Sequence, residues 1–564
     1  MHLLDAARQN MVCIPFVHEV SATIACEYFN ALRPIGSGKA FVLVTAGPGL
    51  TNAVTAIAGA FLESRELLVV GGQVKSTDLS RGQVRQRGIQ EIDGCSIVSP
   101  ISKIALRLEL PLVDGELDNL LLETSKDRPG PVFLEICLDT QAANVDSDPL
   151  RPLNNHFSTK AKQDLPKATV EQAIEILSRC ERPILLVGGG LDRSATQTLL
   201  DFVERNPLPV MTTWNGADRI PADHPNYAGR PNTWGQRRSN IVLQQADVIL
   251  ALGSRLGLQQ TGFNWQEFAP LARVIQVDID EAELTKGHPR VDLPIVADAA
   301  RLLDTISTIS LPDFSQWNVF VRSVINSIPL SETANRVTAP FINSYEFVEA
   351  LSEAADSDDV IVPCSSGGAF TVMMQTFQLK VDQRMLSNKG LASMGYGLAG
   401  AIGASIANPT KRTILVEGDG GFSQNLQELA TVSRHGLPLK MFLFANNGYA
   451  SIRMTQKNYF GGEYLGCDTS TGLGFPDWKS LATAFKIEYL ELTPELWGSR
   501  HLQKSWSSRK PSLYVVPIDP EQTYYPKISS RVTENGSMQS APLHLMTPDL
   551  DPATSEKVFR YLTY

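Results

Sequence analysis

The chain has 564 residues, a length typical of about three domains. It is 43% apolar and 20% charged, as globular proteins are, and its net charge of −10 without a basic stripe argues against a nucleic-acid partner. No apolar run reaches the roughly 20 residues of a membrane span. Seven scattered cysteines without a CxxC pair argue against a zinc site or a disulfide framework. With no secretory signal predicted, we expect a cytoplasmic protein.

Short apolar runs that end at glycine alternate with longer amphipathic stretches, which is the pattern of doubly wound parallel sheets. Strands are predicted at 40–45, 66–70, 130–136, 183–187, 247–252, 274–278, 413–417 and 439–445. Polar stretches at 144–167 and 310–338 are interpreted as connections. We therefore predict an α/β fold with three doubly wound parallel-sheet domains, at residues 1–145, 165–310 and 340–530, followed by an extended tail at 531–564.

The first domain contains a glutamate in an unusual setting. Glu19 follows the apolar segment 15–17 and precedes a helix of small residues, 21–29. A carboxylate beside an apolar strand is costly unless it has a partner. Considered alone, Glu19 is more easily explained as a helix cap or a member of an ion pair than as a catalytic group.

Two polar turns follow predicted strands in the last domain. Asp419, in Glu417-Gly418-Asp419-Gly420-Gly421, follows one strand, and Asn446 follows the next. Parallel strands of one sheet bring such side chains to the same edge. Gly420 and Gly421 would let backbone N–H groups approach a phosphate near a helix start. A carboxylate, an amide oxygen and a backbone carbonyl, completed by phosphate oxygens and water, suit Mg²⁺.

These two turns resemble the cofactor-binding motif of thiamine diphosphate (ThDP)-dependent enzymes of the acetolactate synthase-like group. Asn446 lies 27 positions after Asp419, as in that motif. The resemblance implies Mg²⁺ ligation by Asp419, Asn446 and the carbonyl of Gly448. One departure is that the paired asparagine of the family falls at Ala445, while Asn447 follows the ligand.

Two further segments resemble parts of the same family. Gly390–Gly397 is similar to the segment whose methionine supports the bent cofactor, and its Met394 lies 25 positions before Asp419. Ser366-Gly367-Gly368 matches a second diphosphate loop. The cofactor-binding residues that the resemblance implies are Gly47, Ser366, Gly367, Gly368, Met394, Gly418, Gly420, Gly421 and Tyr449.

The resemblance changes the interpretation of Glu19. In the family, a glutamate in this position bonds N1′ of the aminopyrimidine and promotes the imino tautomer that removes the C2 proton. Residues 45–52 match the family's TSGPGxTN loop, and Gln90, preceded by Ile89 in place of phenylalanine, would face the reactive carbon. Because the family joins these halves across a subunit interface, a homodimer or homotetramer is implied.

The middle third resembles the dinucleotide-like domain of acetolactate synthases, since predicted strands end at Val187-Gly188-Gly189-Gly190 and at Val277-Asp278. The FAD contacts that this resemblance implies are Gly189, Arg255, Thr261, Asp278 and Asp298. The chain departs from the family at Gly257, Leu258 and Gln259, where two aspartates and an arginine are usual. FAD would have a structural role, because the reaction transfers no hydride.

The resemblance, over residues 1–530, implies a carboligase that decarboxylates a 2-keto acid, pyruvate, and transfers the activated aldehyde to a carbonyl acceptor. Thr455 and Ser451 replace bulkier residues of the family's pocket. Segments 213–216 and 233–237 resemble enzymes that transfer acetaldehyde to a nucleotide-linked keto-sugar in surface-polysaccharide synthesis, which is one alternative.

Two other functions stay open. Simple 2-keto acid decarboxylation is disfavoured, because the yeast-type decarboxylases use a paired His-His that this chain lacks. An inert ThDP-binding subunit or fragment is suggested by the N-terminus, since the family has further residues before Met1 that supply the first strand and helix. Intact Glu19, Asp419 and Asn446 argue against inertness.

Overall fold

A computed structural model describes residues 2–34, 36–112, 115–144, 165–493, 495–496, 499–532 and 535–562. Nearly all of the connection predicted at 144–167 lies outside them. The first third forms helices α1 (His2–Asn10), α2 (Glu19–Leu32), α3 (Pro48–Leu62), α4 (Gly94–Val98), α5 (Glu116–Glu123) and α6 (Leu138–Gln141), and strands β1 (Val42–Val44), β2 (Leu67–Gln73), β3 (Ile104–Leu108) and β4 (Pro131–Cys137). These strands form a parallel sheet in the order β1-β2-β4-β3, with apolar β2 and β4 at its centre.

The middle third forms a second parallel sheet, in the order β6-β5-β7-β8-β9. Its elements are α7 (Lys167–Arg179), β5 (Pro183–Val187), α8 (Thr196–Arg205), β6 (Val210–Thr212), α9 (Arg237–Gln244), β7 (Val248–Leu252), α10 (Leu258–Thr261), β8 (Arg273–Asp278), α11 (Glu281–Thr285), β9 (Leu293–Val296), α12 (Ala299–Ile306) and α13 (Ser315–Ser327). Helix α13 lies in the stretch 310–338, where we expected only a connection. Its buried Trp317 donates to the carbonyl of Pro183 at 2.9 Å.

The last third carries the remaining elements. They are α14 (Ser344–Ala354), β10 (Val360–Val362), α15 (Gly367–Thr376), β11 (Arg384–Met385), α16 (Tyr396–Ala407), β12 (Thr413–Gly418), α17 (Asp419–Phe422), α18 (Leu429–His435), β13 (Leu439–Ala445), α19 (Ala450–Tyr459), α20 (Trp478–Ala484), β14 (Glu488–Glu491), α21 (Arg500–Ser507), β15 (Ser512–Pro517), β16 (Ser530–Val532), β17 (Met538–Ser540) and α22 (Pro552–Val558). A third parallel sheet contains the order β10-β12-β13-β15-β14. Gly418 pairs with Phe444, so β12 and β13 end at the same edge.

The chain divides into two compact units. The first comprises Met1–Lys162, Asp359–Ala369 and Leu386–Pro517, and the second comprises Gln163–Asp358, Phe370–Met385 and Ile518–Tyr564. In the first unit, α2 packs closely on α16, which joins the N-terminal and C-terminal parts of the chain. No helix in the described ranges is long and apolar enough to cross a bilayer.

The C-terminal residues, for which we expected an extended tail, pack within the second unit. Arg237 donates to the carbonyls of Met546 and Pro548 at 2.8 and 2.6 Å, and Gln245 donates to the carbonyl of Val558 at 2.9 Å. Side chains of this unit thus bind backbone carbonyls of the C-terminal segment. Such contacts require no hydrophobic periodicity in the C-terminal segment, so the sequence pattern does not predict them.

Candidate cofactor and metal site

Asp419 lies at the carboxyl end of β12, where it begins α17. Its side chain is buried, and its two carboxylate oxygens accept the backbone N–H groups of Gly420 at 2.8 Å and Asn447 at 2.7 Å. Burial raises the pKa of Asp419 to about 7, although these and neighbouring N–H groups oppose the rise. No cation pairs with Asp419 among the residues that the structure describes. A desolvated carboxylate of this kind favours a positive charge beside it, and a bound metal ion would supply one.

Asn446 follows β13 at the same sheet edge. Its buried Oδ1 has no hydrogen-bond partner among the described residues. A buried amide oxygen without a donor is uncommon, and it is free to accept a bond from a donor or to ligate a cation. The described residues contain no group of three or more His, Cys, Asp or Glu side chains that could hold a metal ion by themselves. The oxygen donors available here, a carboxylate, an amide and a carbonyl, are those that suit Mg²⁺.

The backbone around Gly448 is closely packed. A Cβ atom at Gly448 would lie 2.1 Å from the carbonyl oxygen of Cys467, and Tyr449 donates its N–H to that same oxygen at 2.7 Å. Asn447 adopts a left-handed conformation, with φ 58°. This packing fixes the loop that carries Asn446 and Gly448, so the proposed ligands sit on a rigid turn.

Gly420 and Gly421, which follow β12, have no room for a side chain. A Cβ at Gly420 would lie 2.3 Å from the Tyr449 ring, and one at Gly421 would lie 2.9 Å from Oε1 of Glu417. Beside Gly418 and Gly367, by contrast, no atom would lie within 4 Å of an added Cβ. The backbone at Gly418 and Gly367 therefore borders open space, as an anion-binding loop must.

The segment that carries Met394 contacts both neighbouring loops. The Ser365 hydroxyl donates to the carbonyl of Ser393, and Asn425 donates to the carbonyl of Gly395 at 2.7 Å. The side chain of Met394 is partly exposed. The segment that carries Met394 is therefore bonded on one side to the loop after β10 and on the other to the loop after α17.

The predicted residues of the first domain also lie together. Glu19 is the first residue of α2, is half-buried, and accepts a hydrogen bond from Asn52 at 3.0 Å. Gly47 packs so closely on Gln90 that an added Cβ would lie 2.3 Å from the Gln90 carbonyl oxygen. Gln90 itself has a left-handed φ of 61°. The loops of Glu19, Gly47 and Gln90 therefore form one contiguous group.

Glu91 organises the loop next to Gln90. Desolvation raises its pKa, but the backbone N–H groups of Ser80, Gly88 and Arg87 outweigh that effect and lower the pKa to about 2. A carboxylate saturated with backbone donors stays ionised and holds its loop. We therefore assign Glu91 a structural role.

Two contacts near Glu19 do not follow from the sequence pattern. The carboxylate of buried Glu428 accepts the backbone N–H groups of Val17 at 3.4 Å and His18 at 3.0 Å. The bond from Asn52 to Glu19 was also missed, although Asn52 belongs to the 45–52 loop that the resemblance includes. Nothing in the spacing of Glu428 distinguishes it from a surface acid of a helix.

The middle-domain residues lie near the carboxyl edge of their sheet, where some are already engaged. Asp298 caps α12 by accepting the N–H of Ala300 at 2.8 Å, and Asp278 accepts the N–H of Asp280 at 3.0 Å. Thr261 is buried and Arg255 is exposed. A Cβ atom added at Gly189 would lie 2.9 Å from Cβ of Asn215, so the two residues are in close contact.

Comparison with known proteins identifies the family. Residues 1–97 match the thiamine pyrophosphate enzyme N-terminal TPP binding domain, residues 170–306 the central domain, and residues 366–516 the C-terminal TPP binding domain. The chain belongs to the thiamine pyrophosphate enzymes. Thiamine pyrophosphate is the ThDP of the sequence resemblance, so the predicted family and the three α/β domains are confirmed.

Individual relatives narrow the family to its acetolactate synthase-like members. The chain is 30% identical to a probable acetolactate synthase large subunit of Methanocaldococcus jannaschii, over 90% of this chain and 85% of that protein. It is 29% identical to the acetolactate synthase isozyme 2 large subunit of Escherichia coli, over 93% and 91% of the two chains. The protein is therefore a ThDP-dependent carboligase of the acetolactate synthase-like group.

Proposed function

We propose that the protein decarboxylates pyruvate and transfers the resulting two-carbon unit to a carbonyl acceptor, with Mg²⁺ anchoring the diphosphate of ThDP. The observation that carries the metal assignment is the buried, unpartnered Oδ1 of Asn446 at the same sheet edge as the carboxylate of Asp419. Asp419, Asn446 and the carbonyl of Gly448 would hold the ion, and the open backbone at Gly418 and Gly367 would face the diphosphate.

Residues of the chain would supply proton transfer, support for the cofactor and contact with the substrate. When bound, ThDP supplies a carbon nucleophile for the keto acid and accepts the electrons left when CO₂ departs. Glu19 would exchange a proton with N1′ of the aminopyrimidine, and Asn52, which bonds its carboxylate, would fix its orientation. Met394 would support the bent conformation of the cofactor, and Gln90 would border the substrate.

The first experiment measures CO₂ release from pyruvate with added ThDP and Mg²⁺. We expect release that depends on both additions and a condensed product when an acceptor is present. CO₂ with free acetaldehyde as the sole product would instead indicate a simple decarboxylase. Absence of CO₂ from a folded, ThDP-bound protein would indicate an inert subunit.

A keto-sugar acceptor is a second candidate, supported by the surface of α19. Ser451 and Thr455 are both exposed there, and the Thr455 hydroxyl donates to the Ser451 carbonyl at 2.9 Å, which draws it back onto the helix. Small side chains here leave room for a bulky acceptor. Trp214 and Arg237, in the segments 213–216 and 233–237 that resemble such enzymes, are buried in the second unit.

The substitution Thr455→Trp tests the acceptor. If the acceptor is a large keto-sugar, transfer to it should fall more than the formation of acetolactate from two pyruvates, because a tryptophan fills the space beside Ser451. Product analysis with each acceptor measures the ratio. Equal loss of both activities, or no loss, would contradict the role of this pocket.

We also propose that FAD binds the middle domain and that the protein is a homodimer or homotetramer. Gly189, Arg255, Thr261, Asp278 and Asp298 would contact FAD. The absorption spectrum of the purified protein, and of the supernatant after denaturation, tests flavin binding. A purified protein that is colourless after incubation with FAD and removal of the unbound FAD would contradict flavin binding. That result would not affect the proposed ThDP site.

A further inference from the structure

Three charged side chains of the N-terminal part of the first unit form hydrogen bonds with one loop of its C-terminal part, residues 387–390. Glu63 and Arg65 follow helix α3, and Glu27 lies on α2. They contact residues 387–390, the start of the segment that leads to Met394. The contacts go mainly to the backbone of that loop, so they fix its path and not merely one of its side chains.

Glu63 holds the backbone of two consecutive residues. Its Oε1 accepts the N–H of Lys389 at 2.6 Å and that of Gly390 at 2.5 Å. Close packing accompanies these bonds, since an added Cβ at Gly390 would lie 3.0 Å from Cβ of Leu62. The end of α3 and this loop are therefore in direct contact.

Arg65 joins the loop to a buried carboxylate. Its Nη1 donates to Oε1 of Glu27 at 2.6 Å, while its Nη2 donates to the carbonyl of Ser387. The same Glu27 oxygen accepts Nδ2 of Asn388 at 3.1 Å. The guanidinium group thus spans the two parts of the chain with two nitrogens at fixed separation, a geometry that lysine cannot reproduce.

The cluster is almost completely removed from water. The side chains of Glu27, Glu63 and Arg65 are 0%, 3% and 11% exposed. Burial raises the pKa of Glu27, and the charge and hydrogen bonds of Arg65 oppose that rise. Two carboxylates sharing one guanidinium inside a protein are costly unless their geometry is satisfied. Such a cluster favours one position of the loop over others.

We propose that Glu27, Glu63 and Arg65 are positioning residues that hold the 387–390 loop and thereby set Met394 beneath the cofactor. Because Met394 is joined to the loop by only a few residues, a shift of the loop displaces its side chain. The cluster would act on turnover through Met394, without touching substrate or cofactor. This inference rests on the role of Met394 in the proposed function.

The substitution Arg65→Lys tests the cluster while keeping its positive charge. We expect a folded protein whose kcat at saturating ThDP falls by about tenfold to a hundredfold, the range for a misplacement of about 1 Å. The near-ultraviolet circular dichroism of bound ThDP, which reports the mutual orientation of its rings, should change in parallel. KM for pyruvate should change little, since the cluster does not touch the substrate.

A matched control is Arg107→Lys in the same part of the chain. Arg107 also pairs with a buried carboxylate, at 2.6 Å from Glu135, and with Asp93 at 2.8 Å. Within the described residues, its hydrogen bonds go to these two carboxylates and not to the 387–390 loop. We expect its kcat and its dichroism to match those of the wild type.

A second pair of variants removes dependence on one substitution. Glu63→Ala deletes the acceptor of two N–H groups, whereas Glu63→Gln keeps an oxygen in that place, so Gln should restore what Ala loses. Wild-type kcat and dichroism in both Arg65→Lys and Glu63→Ala would overturn the proposal, as would equal losses in Arg65→Lys and Arg107→Lys. The dichroism needs no turnover, so a wild type that binds ThDP without releasing CO₂ would refute the proposed function and still test the cluster.

Discussion

Asp419 is the one proposed metal ligand that carries a formal charge. Replacing it by alanine would leave the charge of the diphosphate without its metal counter-ion. We expect Asp419→Ala to weaken ThDP binding by about tenfold or more, which corresponds to ~1.4 kcal/mol or more. Titration with ThDP at constant Mg²⁺ measures this change. The control is Asp477→Ala, which removes the exposed N-cap of α20 in the same domain. This variant should bind ThDP as tightly as the wild type.

Glu19 should matter for turnover much more than for binding. Glu19→Gln keeps the size of the side chain and the oxygen that accepts from Asn52, but it cannot exchange a proton with N1′. We expect kcat to fall by about 10² or more, as for a lost acid–base group, while ThDP affinity changes far less because the diphosphate is anchored elsewhere. C2-proton exchange of bound ThDP is the direct measurement. Wild-type exchange in Glu19→Gln, with lowered stability, would make Glu19 a structural residue.

The sequence predicts the spatial position of some functional residues and not of others. Asp419 and Asn446 follow apolar strands, so a simple rule about the edges of parallel sheets is enough to predict that they lie together. Arg65 and Glu63 follow a helix with no pattern that distinguishes them from surface charges. Their partners in the 387–390 loop lie more than 300 positions away along the chain, and only the folded backbone shows the contact.

The contact between α2 and α16 depends on small residues. An added Cβ at Gly403 would lie 2.0 Å from the carbonyl oxygen of Ala25, a backbone atom that cannot rotate away. We expect Gly403→Ala to lower the free energy of unfolding by about 1–3 kcal/mol, the usual cost of overpacking. Urea denaturation measures the change. Gly38→Ala, with no atom within 4 Å of its added Cβ, is the control. Equal stability of both variants would contradict the close packing.

Elements with strong apolar runs were predicted, and elements defined by tertiary contacts were not. Strands β5, β7 and β13 agree with the sequence because buried parallel strands are continuously apolar. Helix α13 was missed within a polar stretch, although its buried residues recur at helical spacing from Trp317 to Val324. The C-terminal segment was missed for a different reason, since side chains elsewhere hold its backbone.

At the scale of the whole molecule, sequence order and spatial order differ. The three domains follow one another along the chain, but in space the N-terminal and C-terminal sheets belong to one compact unit, and the middle sheet belongs to the other together with the C-terminal segment. Composition and periodicity report on local elements, and they contain no information about which distant segments share a core. The family resemblance alone linked Glu19 with Asp419.

The proposed oligomer makes a distinct prediction about that link. If Glu19 of one subunit serves a site whose Asp419 belongs to another, mixing the two impaired variants should restore activity at a ThDP concentration that saturates the wild type but is too low for Asp419→Ala to bind. In an equimolar mixture of Glu19→Gln and Asp419→Ala that exchanges subunits at random, half of the dimers are mixed. Each mixed dimer contains one intact site, so about a quarter of wild-type activity should return.

The measurement is CO₂ release from pyruvate before and after the variants are dissociated and reassembled together. Each variant taken alone through the same procedure, at the same limiting ThDP concentration, is the control and should keep its low activity. A site built within one chain cannot be repaired by mixing, because every chain then lacks one of the two residues. A reassembled mixture that stays as inactive as its components would therefore contradict a shared site, and it would place Glu19 and Asp419 of the same chain at one cofactor.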